Sequence, residues 1–407
     1  MKFLFLHQNF PGQFRIIAER LAAQPGNEVI ALRQNRHAVA VKGVGLASYR
    51  FLRTPLEGQH PLLREMESKV LRAEAVADAA RRLRRRGWNP DVVVAHPGWG
   101  EALLIRDVWP QARLVSYLEY FYAPTGQDYD FDPEFAGHDD EALARLRLKN
   151  TVMLHALQDS DAAWTSTEWQ RSLFPEWARK RIRVIHEGVD TDHFRPDPEA
   201  RFSIAGKNVT LTAQDEVVTY ASRSLEPVRG FHVFMRALPE LLRRRPNAHV
   251  VIMGKEEASY GQEPKGHTSW LQKMLREVGA DLDPARVHVV GFLPGEAYRT
   301  VLQVSSAHVY LTYPFVLSWS VVEALACGAR VVGSDTGPVR EVMPRGSEPY
   351  LFDFFDPQAM VDATCRALDR TPKQRAADAT AARRLVAQRY SADGQLRALA
   401  DLFGRNP

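Results

Sequence analysis

Cysteine is nearly absent from this chain. Cys327 and Cys365 stand far apart with no CxxC spacing, which excludes a disulfide framework and fits a reducing compartment. Long apolar runs are missing too, and none approaches the roughly 20 residues that a membrane-spanning helix needs. The apolar start at Met1–Leu6 stops at His7, Gln8 and Asn9 with no small-residue cleavage site behind it, so it reads as a first buried strand rather than a signal peptide. Neither sign of charge dominates: 53 Lys and Arg stand against 49 Asp and Glu, which is not a nucleic-acid-binding composition. No GxGxxG fingerprint follows the first strand and no acidic partner stands at dinucleotide spacing, so an NAD site is not expected.

What is present is a globular composition, 45% hydrophobic and 25% charged over 407 residues, long enough for two or three domains. Near-continuous apolar strands alternate with helical patterns: KFLFLH, NEVIALR, DVVVAH and ARLVSYLE in the first half, then EVVTYASR, AHVVIMG, VHVVGFL, AHVYLTY and ARVVGS in the second. This predicts two doubly wound, Rossmann-like α/β domains with parallel sheets, their ligand-binding loops facing across a cleft. The Gly, Asp and Pro residues of RVIHEGVDTDHFRPDPEA mark a boundary near residue 190, giving domains over 1–190 and 191–374. Two arginine bursts, Arg81–Arg86 and Arg243–Arg245, each close a helix before a strand, where cations oppose the helix dipole.

The segment Pro314–Ser334 reads as a loop, a short helix and a buried strand. Ser318 or Ser320 can cap the helix, Gly328 ends it, and its free N–H groups favour a phosphate. Glu323, one turn inside, can accept hydrogen bonds from ligand hydroxyls, although an amphipathic helix with one solvated glutamate has the same pattern. Arg223 and Arg229, six residues apart around Pro227, can both aim inward at a pyrophosphate, or can be surface arginines on a loop. His96 ends the strand DVVVAH; Glu101, five residues on, suits an acceptor or a capping role. In the long connection Tyr117–Phe135, Tyr120, Phe121 and Tyr122 can form a stacking wall for a sugar. Asp128, Asp130 and Asp132 alternate in the same loop, but not directly after an apolar strand, and no metal is expected there.

Five segments in order resemble the retaining family 4 glycosyltransferases, which have the GT-B fold: MKFLFLHQNFPGQF, VVVAHPGWGEAL, IHEGVDTDHFRP, SRSLEPVRGF and PFVLSWSVVEALACGARVVGS. The resemblance implies transfer of a sugar from a nucleotide-diphosphate donor to a hydroxyl acceptor, without a metal or other cofactor and with retention of configuration. It implies leaving-group stabilisation by Arg223 and Arg229, contact of His96 with the transferred sugar, and a ribose contact at Glu323. Gly12 would line the sugar-phosphate lip, Phe292 would lie beside the nucleobase, and Phe315, Val316, Leu317 and Ser318 would line the donor. Glu101, Tyr120 and Tyr122 are the acceptor-side candidates.

The resemblance implies that the last helix, about 375–407, packs back onto the first domain. Expected partners are the nucleotide sugar and a carbohydrate, glycolipid or other hydroxyl acceptor, in the assembly of surface polysaccharide or another glycoconjugate. The expected setting is cytoplasmic, with peripheral contact at the inner face of the membrane if the acceptor is lipid-linked. The sequence departs from the family pattern twice, with Arg229 where lysine is usual and Phe315 where the first of two glutamates is usual. A non-catalytic nucleotide-sugar binder, a sugar-nucleotide epimerase and a glycoside phosphorylase are the alternatives on the same scaffold.

Overall fold

In a computed structural model that describes residues 1–34, 40–135 and 139–404, the apolar runs of the first half become strands β1 (Lys2–Leu6), β2 (Glu28–Gln34), β3 (Gly45–Tyr49), β4 (Val92–Ala95), β5 (Arg113–Tyr117), β6 (Ala162–Thr165) and β7 (Ile182–Val184). They form one parallel sheet in the order β3-β2-β1-β4-β5-β6-β7. Side chains alternate across it. Phe3 and Phe5 share one face with Val29, Val92, Val94 and Val115, while Leu4 and Leu6 share the other with Val93 and with Ala75, Val76 and Ala80 of the helix Arg64–Arg85. Burial on both faces explains why these strands read as unbroken apolar runs.

The second half supplies a short antiparallel pair, β8 (Arg201–Ser203) and β9 (Thr210–Thr212), and a six-stranded parallel sheet. Its members are β10 (Val217–Ser224), β11 (His249–Lys255), β12 (Val287–Gly291), β13 (Ala307–Tyr310), β14 (Val331–Ser334) and β15 (Leu351–Phe352), in the order β12-β11-β10-β13-β14-β15. Both sheets are doubly wound, as the alternation of patterns predicts.

The chain divides into two units, Met1–Gly188 with Ala392–Pro407, and Val189–Ser391. The expected single helix over 375–407 is a point of difference. It is broken at Tyr390 and Ser391, and its first part, Pro372–Arg389, stays with the second unit, where Ala382 and Val386 enter the core and Asp378 pairs with Arg330 and Arg370. Only the helix Ala392–Leu402 joins the first unit, placing Leu399, Leu402 and Phe403 in its core and Phe403 edge-on to Phe3 at 5.4 Å. Burying each such side chain stabilises that attachment by roughly 1.5–3 kcal/mol. Gly188 is required at the first crossing: its φ is +85°, and a Cβ there would lie 2.8 Å from Ala392 Cα. Among the described residues no helix is long and apolar enough to cross a membrane.

Candidate active site

In an open parallel sheet the crevice for a ligand lies beyond the carboxyl ends of the strands, where the strand order reverses. In the first unit that point falls between β1 and β4. His7 follows β1, His96 follows β4, and Glu119 follows the adjacent β5 by two residues. One hydrogen-bonded chain joins them.

Asn9 N–H donates to His7 Nδ1 (3.0 Å), so the His7 proton sits on Nε2 and is given to Gln13 Oε1 (2.8 Å). Gln13 Nε2 donates to Glu119 Oε1 at 2.5 Å. From the other side, Gly98 N–H donates to His96 Nδ1 (3.2 Å), which leaves the His96 proton on Nε2, aimed at Glu119 Oε2 3.1 Å away. Trp99 stacks on His96 at 4.1 Å and meets His7 edge-on at 4.8 Å, locking both rings. Burial, with His96 as a second cause, pushes the His7 pKa down to about 3 and keeps it neutral. Burial would raise Glu119, but its hydrogen bonds from His96 and Gln13 outweigh it and hold the carboxyl below its ordinary range.

Gly12 lies against this chain. Its φ is +44°, and a Cβ there would sit 2.3 Å from the His7 ring, so the close approach needs glycine. Glu101, the acceptor candidate, is elsewhere. It is fully buried, accepts from Tyr49 Oη at 2.9 Å and faces Arg72 at 3.9 Å, and burial raises its pKa. Its carboxylate braces Arg72, whose Nη1 holds the carbonyl of Trp99 at 2.6 Å, so Glu101 supports the ring stack from behind rather than presenting itself to a ligand. Tyr120 and Tyr122 do pair, at 5.0 Å, but Tyr120 is buried and donates to Asp128 (2.8 Å), while Lys149 lies over Tyr122. Asp130 and Asp132 accept from backbone N–H groups of their own loop, and no group of three or more acidic, His or Cys side chains suited to a metal occurs among the described residues.

In the second unit the order reverses between β10 and β13. Arg223, at the end of β10, is exposed and makes no ion pair with another described residue. Arg229 differs from the expectation: it is only 4% exposed, and its Nη1 donates to Thr312 Oγ1 (2.9 Å) and Val316 O (2.8 Å). Its guanidinium also lies over Tyr260 and Phe315, at 5.3 and 5.5 Å. Arg229 therefore fastens the loop after β13 to the loop after β10.

Phe315, itself buried, closes this box by packing on Tyr260 at 5.2 Å. Behind it, the Glu226 carboxylate accepts the N–H groups of Ser259, Tyr260 and Gly261, the last at 2.7 Å. Gly230 starts the helix Phe231–Arg244 at φ +65°, where a Cβ would lie 2.3 Å from Leu311. Val316 contributes its carbonyl to Arg229, Leu317 packs on the core, and Ser318 caps the helix Trp319–Ala326 through its Oγ while its N–H donates to Tyr310 Oη at 2.7 Å. Glu323 accepts from Tyr298 Oη at 2.6 Å; burial raises its pKa to about 7, against the opposing effect of that hydrogen bond. Phe292, 61% exposed, follows β12 with Lys255 Nζ over its ring at 5.4 Å.

The structure thus brings Arg229, Phe315 and Val316 together, and sets Ser318 and Glu323 on the next helix. Sequence reasoning did not single out His7, Glu119, Glu226, Tyr260 or Tyr298. For His7 and Glu119 a signal was present, since each lies just beyond an apolar strand, as His96 does.

Residues 25–194 match the profile described as Glycosyl transferase family 4 group, and residues 215–370 that of Glycosyl transferases group 1. The chain is 32% identical over 195 residues to a D-inositol 3-phosphate glycosyltransferase of Acidothermus cellulolyticus, covering 46% of this chain and 41% of that one. It is 27% identical over 238 residues to a GDP-mannose-dependent alpha-(1-6)-phosphatidylinositol monomannoside mannosyltransferase of Mycolicibacterium smegmatis, covering 56% and 58%. The matched stretches span about half the length of these curated relatives. Among solved structures, Anabaena HepE in complex with UDP and glucose superposes with a TM-score of 0.70 at 17% identity over 99% of both chains. Sucrose-phosphate synthase from Thermosynechococcus elongatus does so with 0.75 at 16% identity, over 99% and 98%. At these identities the structural likeness speaks for the GT-B fold.

Proposed function

The chain belongs to the family 4 glycosyltransferases, and from that premise we propose that it moves a glycosyl group from a nucleotide-diphosphate sugar to a hydroxyl acceptor, retaining the anomeric configuration. The observation that carries this reading is the set of groups at the β10/β13 reversal: exposed Arg223, the N-terminus capped by Ser318, and Glu323 held by Tyr298. An anion is favoured at that helix end and beside a free guanidinium, and a partly exposed carboxylate one turn inside suits the ribose hydroxyls. Arg223 then stabilises the charge that develops on the leaving phosphate, with no metal in the step. Arg229 acts one layer back, holding the loop that carries Val316 to Ser318.

In the reaction the bond from the anomeric carbon to phosphate oxygen breaks, the bond to the acceptor oxygen forms on the same face, and the acceptor's proton passes to the leaving phosphate. Phe315, packed against Tyr260 and Arg229, leaves no carboxylate where the usual pattern has one, which favours a donor sugar with few hydroxyls there, or one held by main-chain groups. The name of the matched mannosyltransferase supports a glycolipid acceptor, and a polysaccharide role rests on the resemblance in sequence. A lipid-linked acceptor implies peripheral contact with the cytoplasmic face of a membrane.

The test is incubation with UDP-, GDP-, ADP- and dTDP-sugars plus acceptor extract, following release of nucleoside diphosphate and the anomeric configuration of the product by NMR. Release with a retained anomer is expected. Saturable binding without release or transfer identifies a non-catalytic binder, and an inverted product overturns the retaining mechanism.

A further inference from the structure

The first unit carries a group whose position assigns it a role. We infer that Glu119, rather than His96, meets the ligand of this unit, and that it binds a hydroxyl of an uncharged sugar or polyol. Both ring nitrogens of His96 are engaged, Nδ1 by Gly98 N–H and Nε2 by Glu119, and both of His7 by Asn9 N–H and Gln13. Neither imidazole retains a donor or acceptor for a ligand. Exposure points the same way: the His96 side chain is 3% exposed and that of Glu119 is 23%.

Each carboxylate oxygen has two lone pairs and receives one donor here, Oε1 from Gln13 and Oε2 from His96, so acceptor capacity remains on the open side. The two histidines, Gln13 and Trp99 hold the carboxylate in place and ionised. In the same loop Gln8 Oε1 is buried without a hydrogen-bond partner, a further acceptor. An edge that offers acceptors and a negative charge selects hydroxyl donors and opposes a phosphate ester.

This assignment rests on the glycosyltransferase reading for the identity of the hydroxyl as the acceptor's. Its test uses the full chain, the nucleotide sugar it turns over, and neutral sugars and polyols beside their phosphate esters as acceptors. Glu119→Gln, which keeps size and removes charge, is expected to raise the acceptor KM by about tenfold or more, with kcat changed less and nucleotide affinity kept within about twofold. A neutral acceptor is expected to be preferred over its phosphate ester by about tenfold.

An unchanged KM in the variant, or preference for the phosphate ester, overturns the assignment. If no nucleotide sugar binds or turns over, the glycosyltransferase reading has failed, and a second measurement still decides on Glu119. Titration of myo-inositol into histidine-labelled protein is expected to shift the His96 Nε2 resonance in the wild type and not in Glu119→Gln. No shift in either, or equal shifts in both, overturns it.

Discussion

Replacing Glu323 by glutamine removes one titration and should change how stability depends on pH. Burial raises this carboxyl from its ordinary 4.5 to about 7, and the Tyr298 hydrogen bond only partly offsets that. Between those two values the folded protein keeps the proton that the unfolded chain has already lost. Stability contributed by Glu323 is therefore full at low pH, falls by about 1.4 kcal/mol per pH unit as pH rises, and is gone once pH passes the folded value. Over the whole interval the loss is at most about 3.5 kcal/mol.

Urea unfolding followed by circular dichroism, for wild type and Glu323→Gln from acid to mildly alkaline pH, isolates it, because every other group cancels in the difference. The two proteins should be most alike at the acid end, and the wild type should lose stability relative to the variant across the interval. Nucleotide affinity should run the opposite way in the wild type, rising with pH as the ionised carboxylate becomes able to accept ribose hydroxyls. Parallel stability curves for the two proteins would refute the reasoning.

Arg229→Lys keeps the charge but not the planar fork between Thr312 and Val316, so it should cost about 1–3 kcal/mol in urea unfolding and weaken nucleotide binding. Stability equal to wild type would mean that Arg229 does not fasten the loop. Gly230→Ala forces a Cβ against Leu311 at a left-handed φ and should cost about 1–3 kcal/mol or more, read as a lowered Tm. Glu226→Gln leaves one acceptor for the N–H groups of Ser259, Tyr260 and Gly261, and should speed hydrogen exchange at those amides, leaving exchange in β1 and β4 unchanged.

The sheets were legible because strands buried on both faces read as apolar runs, DVVVAH and AHVVIMG among them. The short edge elements β3, β8, β9 and β15 were not, since GLASY or LF holds too few β-branched residues to stand out. Strand order also lies outside what alternation can tell, and it is the order that makes His7, His96 and Glu119 neighbours. The misreadings have the same origin. Glu101 looked available until Tyr49, from 52 residues earlier in the chain, was seen to hold it. Arg229 looked free until Thr312 and Val316, from 83 and 87 residues later, were seen to engage it. Nothing in the composition of Ala382–Tyr390 announces that the chain stays with the second unit until Ser391. Pairings that distant are set by tertiary packing, whereas the capped helix at Ser318 and its Glu323 are local and could be read directly.

The claim that the second unit holds a nucleotide-sugar donor is tested most directly by thermal shift against UDP-, GDP-, ADP- and dTDP-sugars, for the wild type and for Arg223→Ala. A rise in Tm with one nucleotide class, abolished or much reduced in the variant, is the predicted result. No rise with any donor, or a rise that Arg223→Ala leaves intact, would contradict it.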